Sequence, residues 1–139
     1  MAELARIGIA ISEDLLAEFD KLIARRGYTN RSEAFRDLVR NELVNEISAS
    51  PDAEVCGAIT LIYDHHARLL LDKLNDLQHK YFAAIMSSVH VHLDHDNCLE
   101  AILVRGKSSL VQELANSLIA TKGVKHGRFV VTTSGQHLH

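Results

Sequence analysis

Two cysteines in 139 residues are too few for a disulfide framework, and the chain has one proline and no tryptophan. In a reducing compartment, a thiol near histidines reads as a ligand or a nucleophile rather than as half of a bridge. No apolar run approaches the ~20 residues needed to span a bilayer, and the opening MAELARIG lacks the charged-then-apolar pattern of a signal peptide. A cytoplasmic protein is therefore expected. A surplus of one charge sign is also missing: the net charge is -3, which by itself argues for neither nucleic acid nor membrane. Histidine is absent from the first 64 residues although nine follow, so the first part has no metal chemistry of the histidine kind. At 47% hydrophobic and 24% charged, the composition suits one globular domain or two small ones.

The single proline stands in Ser48-Ala49-Ser50-Pro51-Asp52, a small-residue run that divides the chain. The expected organisation is a first domain over 1–47, a linker over 48–53, a second domain over 54–134 and a tail over 135–139. In the first part Ile7, Ile9 and Ile11 alternate with Arg6, Gly8 and Ala10, the period of a half-buried strand. Ser12 is a good helix N-cap, Glu13 and Asp14 suit a first turn, and Leu15, Leu16, Phe19, Leu22 and Ile23 recur at helical spacing up to Gly27. A second helix opens at Asn30 with Glu33 three residues on, a capping-box arrangement, and carries Ala34, Phe35, Leu38, Val39, Leu43 and Ile47. Strand, helix, helix in so few residues buries little core and leaves both strand edges unpaired, so the unit should dimerise by pairing its strand with its twin.

Through RIGIAIS and RRGYTNRSEAFRDLV this part resembles the ribbon-helix-helix family of DNA-binding proteins, whose two-stranded ribbon lies in the major groove. Charge agrees locally: residues 25–40 carry five arginines against Glu33 and Asp37, an excess of +3, although residues 1–47 as a whole hold seven basic and nine acidic side chains. Non-specific affinity, which follows phosphate neutralisation, should therefore be modest. The same arginines also suit an ordinary solvated helix face. By the resemblance, the outward ribbon residues Arg6, Gly8 and Ala10 face the bases, while Asn30 and Arg31 at a helix N-terminus suit phosphate contact.

In the second part, apolar runs read as strands over 56–63, 85–93, 98–104 and 129–133. Helical spacing covers Leu69 to Tyr81 and Ser108 to Ile119, with Gly123 as the stop. The order β-α-β-β-α-β predicts an α+β ferredoxin-like domain with helices on one face of an antiparallel sheet. Cys56 is expected to be a buried strand residue. His137 and His139 are expected in a disordered polar tail.

The stretch HVHLDHDNC, residues 90–98, puts three histidines and a cysteine into nine positions. On a strand, Val89, Val91 and Leu93 point one way, to pack the sheet, and His90 and His92 the other. Cys98 follows a polar turn and is near enough to join them, with His95 as a turn residue. Two imidazoles and a thiolate suit zinc, copper or nickel, and spacing alone favours zinc.

His79, eleven residues before His90, and His65, fourteen before His79, extend the pattern. With the N-terminal part, HVHLDHDNCLE resembles the nickel-responsive transcriptional regulator family over nearly the whole chain. The resemblance implies one nickel per chain, held by His90, His92 and Cys98 with His79 from a neighbouring subunit of a homotetramer built as a dimer of dimers. Glu100 matches a carboxylate that orients a ligand. A thiolate with imidazoles gives a strong field, and low-spin d8 nickel seeks a square plane where zinc has no such preference. The resemblance further implies metal-dependent repression on operator DNA, with ordering of residues 65–79 on nickel binding. It places an accessory cation at Glu33 and Asp37, a pair that reads equally well as an acidic helix face, and a weaker DNA contact at Arg68. An antitoxin or a small-molecule-sensing regulator with the same N-terminal domain is the alternative. A metal-dependent enzyme is disfavoured, because four protein ligands leave no vacancy.

The family's ribbon would carry an arginine and two polar residues, commonly threonines; here Gly8 and Ala10 replace the polar pair. Arg6 is then the one ribbon donor able to pair bidentately with guanine, a contact of about 1–3 kcal/mol. Arg6→Ala should reduce the ratio of cognate to scrambled duplex affinity by roughly that energy at every salt concentration. Discrimination that survives undiminished would shift base reading to the arm from Met1 to Ala5 or to DNA shape.

Overall fold

The structure, a computed structural model, describes residues 3–136, 138 and 139. Two compact units divide within the second helix: one runs to Leu43 and takes in the end of the chain, and the other is Val44–Gln136.

The first unit follows its capping chemistry. Ser12 Oγ accepts from the Leu15 amide at 3.3 Å and opens α1 (Glu13–Arg25), with Glu13 and Asp14 in the first turn and Arg25 in the last. Gly27, at φ 82°, takes the left-handed conformation that turns the chain away. Asn30 Oδ1 accepts from the Glu33 amide at 2.9 Å and opens α2 (Arg31–Ser48), while the Glu33 side chain contacts Thr29 rather than closing the expected box. Ile23 and Ala34 are buried between the helices, but Leu15, Phe35, Leu38, Val39 and Leu43 remain exposed. The expected strand over Ile7 to Ile11 is unpaired in the single chain, and its isoleucines are exposed rather than half-buried, at 67%, 60% and 43%. A strand exists through hydrogen bonds to a neighbour, and the described residues of this unit contain no other strand to supply them. The three isoleucines line one open apolar groove with Leu15, Phe19 and Phe35.

The second unit is built from β1 (Glu54–Asp64), α3 (Arg68–Lys80), β2 (Ile85–His92), β3 (Asn97–Lys107), α4 (Ser108–Ile119) and β4 (Val124–Thr132). Its sheet has the order β2-β3-β1-β4 and is antiparallel throughout, as a ferredoxin-like domain requires. Strict alternation on β1 turns Val55, Ile59, Leu61 and Tyr63 inward against Leu70 and Leu74 of α3 and Val111, Leu114 and Leu118 of α4. Each fully buried Leu or Ile of this set stabilises by about 1.5–3 kcal/mol. The first amides of α4 lack a side-chain cap and instead donate to the segment between α2 and β1: Ser108 N to Ala53 O at 2.8 Å and Ser109 N to Pro51 O at 3.1 Å.

Three expectations are corrected here. Val89, Val91 and Leu93 do not pack the core; they are about half exposed on the sheet face away from the helices. The cause is register: His90 pairs with Glu100 and His92 with Cys98, so the histidines share the helix side with the inward residues of β3. Cys56 is half-buried on the same open face, next to the inward Val55. The last strand begins at Val124, five residues earlier than its apolar run suggested, because Gly127 lets Ile119 pack directly on the backbone. His139 is placed, its carbonyl accepting from Arg40 Nε at 2.7 Å, whereas His137, Met1 and Ala2 lie outside the described residues.

Gly57 sits under β4, where an added Cβ would lie 2.6 Å from the Phe129 ring and 2.6 Å from the Val130 carbonyl. Gly57→Ala should lower the urea midpoint by an amount equivalent to about 1–3 kcal/mol, the usual cost of overpacking. An unchanged midpoint would show that β4 shifts aside freely.

Candidate metal centre

β2 and β3 bring the candidate donors together by register alone. Cys98, 1% exposed, faces the helices from the start of β3, and its Sγ lies 3.9 Å from His90 Nδ1 on the neighbouring edge strand. Two positions along β3, Glu100 is buried with its carboxylate fully engaged. Oε1 accepts from the Tyr63 hydroxyl at 2.7 Å, and Oε2 accepts from Gln78 Nε2 at 3.0 Å and from Ser88 Oγ at 2.9 Å. Donors from β1, α3 and β2 thus converge on one charge, which a buried carboxylate needs to remain stable. Burial, and then the hydrogen bond to Glu100, push the Tyr63 phenol well above its ordinary value, so it stays a neutral donor.

Glu100 Oε2 also lies 3.3 Å from His90 Nε2. On its other side the same ring presents Nδ1 to the Tyr63 hydroxyl at 3.2 Å and to the Cys98 thiol at 3.9 Å. A buried thiol, an adjacent imidazole nitrogen and a carboxylate behind the ring are the donor chemistry a borderline divalent ion requires, so the residues present fit nickel.

The other expected ligands stand further off. His92 shares the helix side but stacks on His65, with ring centroids 4.3 Å apart and planes 5° apart. His79 is exposed in the last turn of α3, with its ring centroid 6.4 Å from that of Phe82. Among the described residues, no group of three donors within 4.8 Å of one another includes His79, His90, His92 or Cys98. His95 sits in the β2–β3 turn, where Asp94 Oδ1 accepts from the amides of Asp96 and Asn97 at 2.9 and 2.7 Å. These bonds and that of the Asn97 side chain, the largest cause, hold the Asp94 carboxyl down to about 2.

In the first unit Arg6, Gly8 and Ala10 are exposed. Arg31 is engaged in a bidentate pair with Asp20, both contacts at 2.9 Å, and Asn30 is occupied as a cap. Glu33 and Asp37 lie on one face of α2, yet Asp37 accepts from Tyr28 at 2.7 Å and from Arg40 at 3.0 Å, and the Tyr28 bond lowers its pKa most. A cation there would have to displace Arg40. Arg68 is exposed at the start of α3.

Tyr63, Gln78 and Ser88 had no motif to announce them. A tyrosine at an inward position of β1 was the one available signal, since a buried hydroxyl demands a partner.

Residues 56–132 match the family described as NikR C terminal nickel binding domain, and residues 5–46 match the ribbon-helix-helix protein, copG family. A protein of Solibacter usitatus named "Putative nickel-responsive regulator" is 58% identical over 138 residues, covering 99% of each chain. Relatives of the same name come from Geotalea uraniireducens, 52% identical over the full length of both chains, and from Thermococcus kodakarensis, 46% identical over 98% of this chain and 99% of its own. An uncharacterized protein from Thermotoga maritima, 14% identical, shares the fold alone, with a TM-score of 0.50 over 56% of this chain and 96% of its own.

Glu100→Ala should strand the Tyr63, Gln78 and Ser88 donors and destabilise the fold by about 1–3 kcal/mol for each donor left without water. Urea denaturation of the variant measures this; wild-type stability would mean that solvent replaces the carboxylate at no cost.

Proposed function

This chain belongs to the nickel-responsive regulator family, and from that premise we propose that it is a repressor whose affinity for operator DNA is set by nickel. Regulation through a ribbon-helix-helix domain is the function of a binding protein, not of an enzyme. The observation that carries the metal assignment is the His90–Cys98 pair set over buried Glu100. His90, His92 and Cys98 of one chain, with His79 of another, form the proposed His3Cys set for one nickel per chain. Bound nickel supplies a strong preference for four donors in a plane, which zinc lacks. Cys98 presents its sulfur from a fixed inward position, Glu100 holds the His90 ring, and His92 joins by turning off His65. His79 is exposed at the end of its helix, which suits donation to a second chain.

Two apolar surfaces support the assembly this needs. The groove of Ile7, Ile9 and Ile11 suits a twin ribbon, and the open sheet face of Val89, Val91 and Leu103 suits a further contact, which together give a dimer of dimers. Pairing the ribbons would set Arg6, Gly8 and Ala10 toward the bases of double-stranded operator DNA. Asn30, Arg31 and Arg68 are proposed phosphate contacts, of which Arg31 must first leave Asp20. Glu33 and Asp37 would take an accessory cation in exchange for the Arg40 contact. The regulated genes are proposed to be those of nickel uptake, and the setting cytoplasmic. Metal and DNA sites that bias one equilibrium are coupled reciprocally, so operator DNA should tighten nickel binding as nickel tightens operator binding.

Nickel titrated into the full chain should produce a thiolate-to-metal absorption band that saturates at one ion per chain. Cys98→Ala should remove the band and weaken binding by more than the 10–100-fold that loss of an outer partner typically costs. His79→Ala should also bind poorly, yet mixing the two variants should restore some complete sites in hybrid tetramers. Undiminished binding by Cys98→Ala would overturn the thiolate assignment, and failure of the mixture to recover would place the site within one chain.

A further inference from the structure

Arg31 opens α2 and borders the apolar groove of Ile7, Ile9 and Ile11, the surface suited to a twin ribbon. A ribbon pair lies in the major groove of its DNA, so a cation at the edge of that groove stands where the phosphate backbone passes. Its guanidinium is already taken. Nε and Nη2 donate to Oδ1 and Oδ2 of Asp20 on α1, both at 2.9 Å. This two-point fork is the geometry with which a guanidinium also grips a phosphate, so carboxylate and phosphate compete for the same edge. Among the described residues Asp20 makes no other side-chain hydrogen bond, and the bonds from Arg31 hold its carboxyl below its ordinary value, so it stays charged.

The consequence for DNA binding follows from counterion release. Closed, the Asp20–Arg31 pair is neutral and releases no counterion from a duplex. Opened, it gives one guanidinium to a phosphate and leaves one carboxylate facing the same polyanion. Arg25, Arg26 and Arg36 form no ion pair among the described residues, so their attraction to DNA needs no such exchange. With seven basic and nine acidic side chains in residues 1–47, one guanidinium gained or withheld is a large part of what this unit can offer a phosphate backbone.

We propose that Asp20 is a specificity-determining residue: a resident competitor for phosphate that withholds Arg31 from DNA of arbitrary sequence and yields it only where the fit of the ribbon brings a phosphate onto the fork. The inference rests on the DNA-binding reading above, with Arg31 as a phosphate contact. On a poorly fitting duplex the pair stays closed and the contact is lost. On a fitting one, the ribbon contacts drive the exchange, so the carboxylate widens the gap between the two affinities.

The test is fluorescence anisotropy of the full chain on a labelled duplex of arbitrary sequence over a series of salt concentrations. Asp20→Asn should bind that duplex more tightly than wild type at low salt. Its salt dependence should be steeper by about 0.9 in log–log slope for each added phosphate contact, or about a 3-fold further loss of affinity between roughly 50 and 200 mM. Asp14→Asn, which removes a charge from the same helix without touching Arg31, should keep the wild-type slope, and Asp20→Asn/Arg31→Ala should lose the added slope. Circular dichroism verifies that each variant is folded. An unchanged slope in Asp20→Asn overturns the proposal, as does the same gain in the Arg31→Ala background. Weaker binding by Asp20→Asn also overturns it, because Asp20 would then be a brace that aims Arg31 at the phosphate. Nickel does not enter the comparison, so a chain whose DNA affinity ignores nickel would overturn the repressor reading and leave this result standing.

Discussion

One buried charge organises the second unit. The Glu100 carboxylate lies inside the helix-facing side of the sheet, where an unpaired ion would be prohibitively costly, and it is tolerated because β1, α3 and β2 each send it a donor. Tyr63 makes the deepest of these bonds and remains neutral, Gln78 ties in the helix, and Ser88 ties in the edge strand. The same carboxylate then faces the His90 ring. The position of that imidazole beside Cys98 is thus inherited from a network whose members lie in four different elements.

Register does the remaining work. Because β2 pairs with β3 antiparallel, His90 and His92 fall opposite Glu100 and Cys98 and must share their side of the sheet. A slip of one residue would send both imidazoles to the open face and Val89 and Val91 toward the helices. Since β2 is the edge strand, its helix-side row stays accessible while Cys98 one strand further in is buried. A sunken sulfur beside reachable imidazoles follows directly from strand order.

Apolar surface left uncovered recurs in both units. The ribbon segment and the facing sides of α1 and α2 expose isoleucine, leucine and phenylalanine around one groove, and the outer sheet face exposes Val89, Val91, Leu103 and Val130. Contiguous apolar patches of this kind are uncommon on chains that remain monomeric. An unpaired segment beside an apolar groove leaves both its backbone hydrogen-bonding groups and its side chains open to a partner.

The sequence by itself determined the elements, because helix caps, period-3.6 and period-2 patterns are local: Ser12 and Asn30 open helices, and β1 alternates as its residues demand. It also named candidate donors in HVHLDHDNCLE, of which the structure brings His90 and Cys98 together while His92 stacks on His65. Tertiary structure alone decided which sheet face became the core, and so turned Val89 and Val91 outward. It also decided that Gly127 belongs to a strand, because Ile119 from a distant helix packs on it. Tyr63, Ser88 and Gln78 converge on Glu100, and His66 meets His95 and Asp96, across 12 to 37 positions of chain in the first case and 29 to 30 in the second. Pattern cannot see such meetings, because local periodicity fixes the direction of a side chain relative to its own element, while sheet register and helix packing fix what that direction points at.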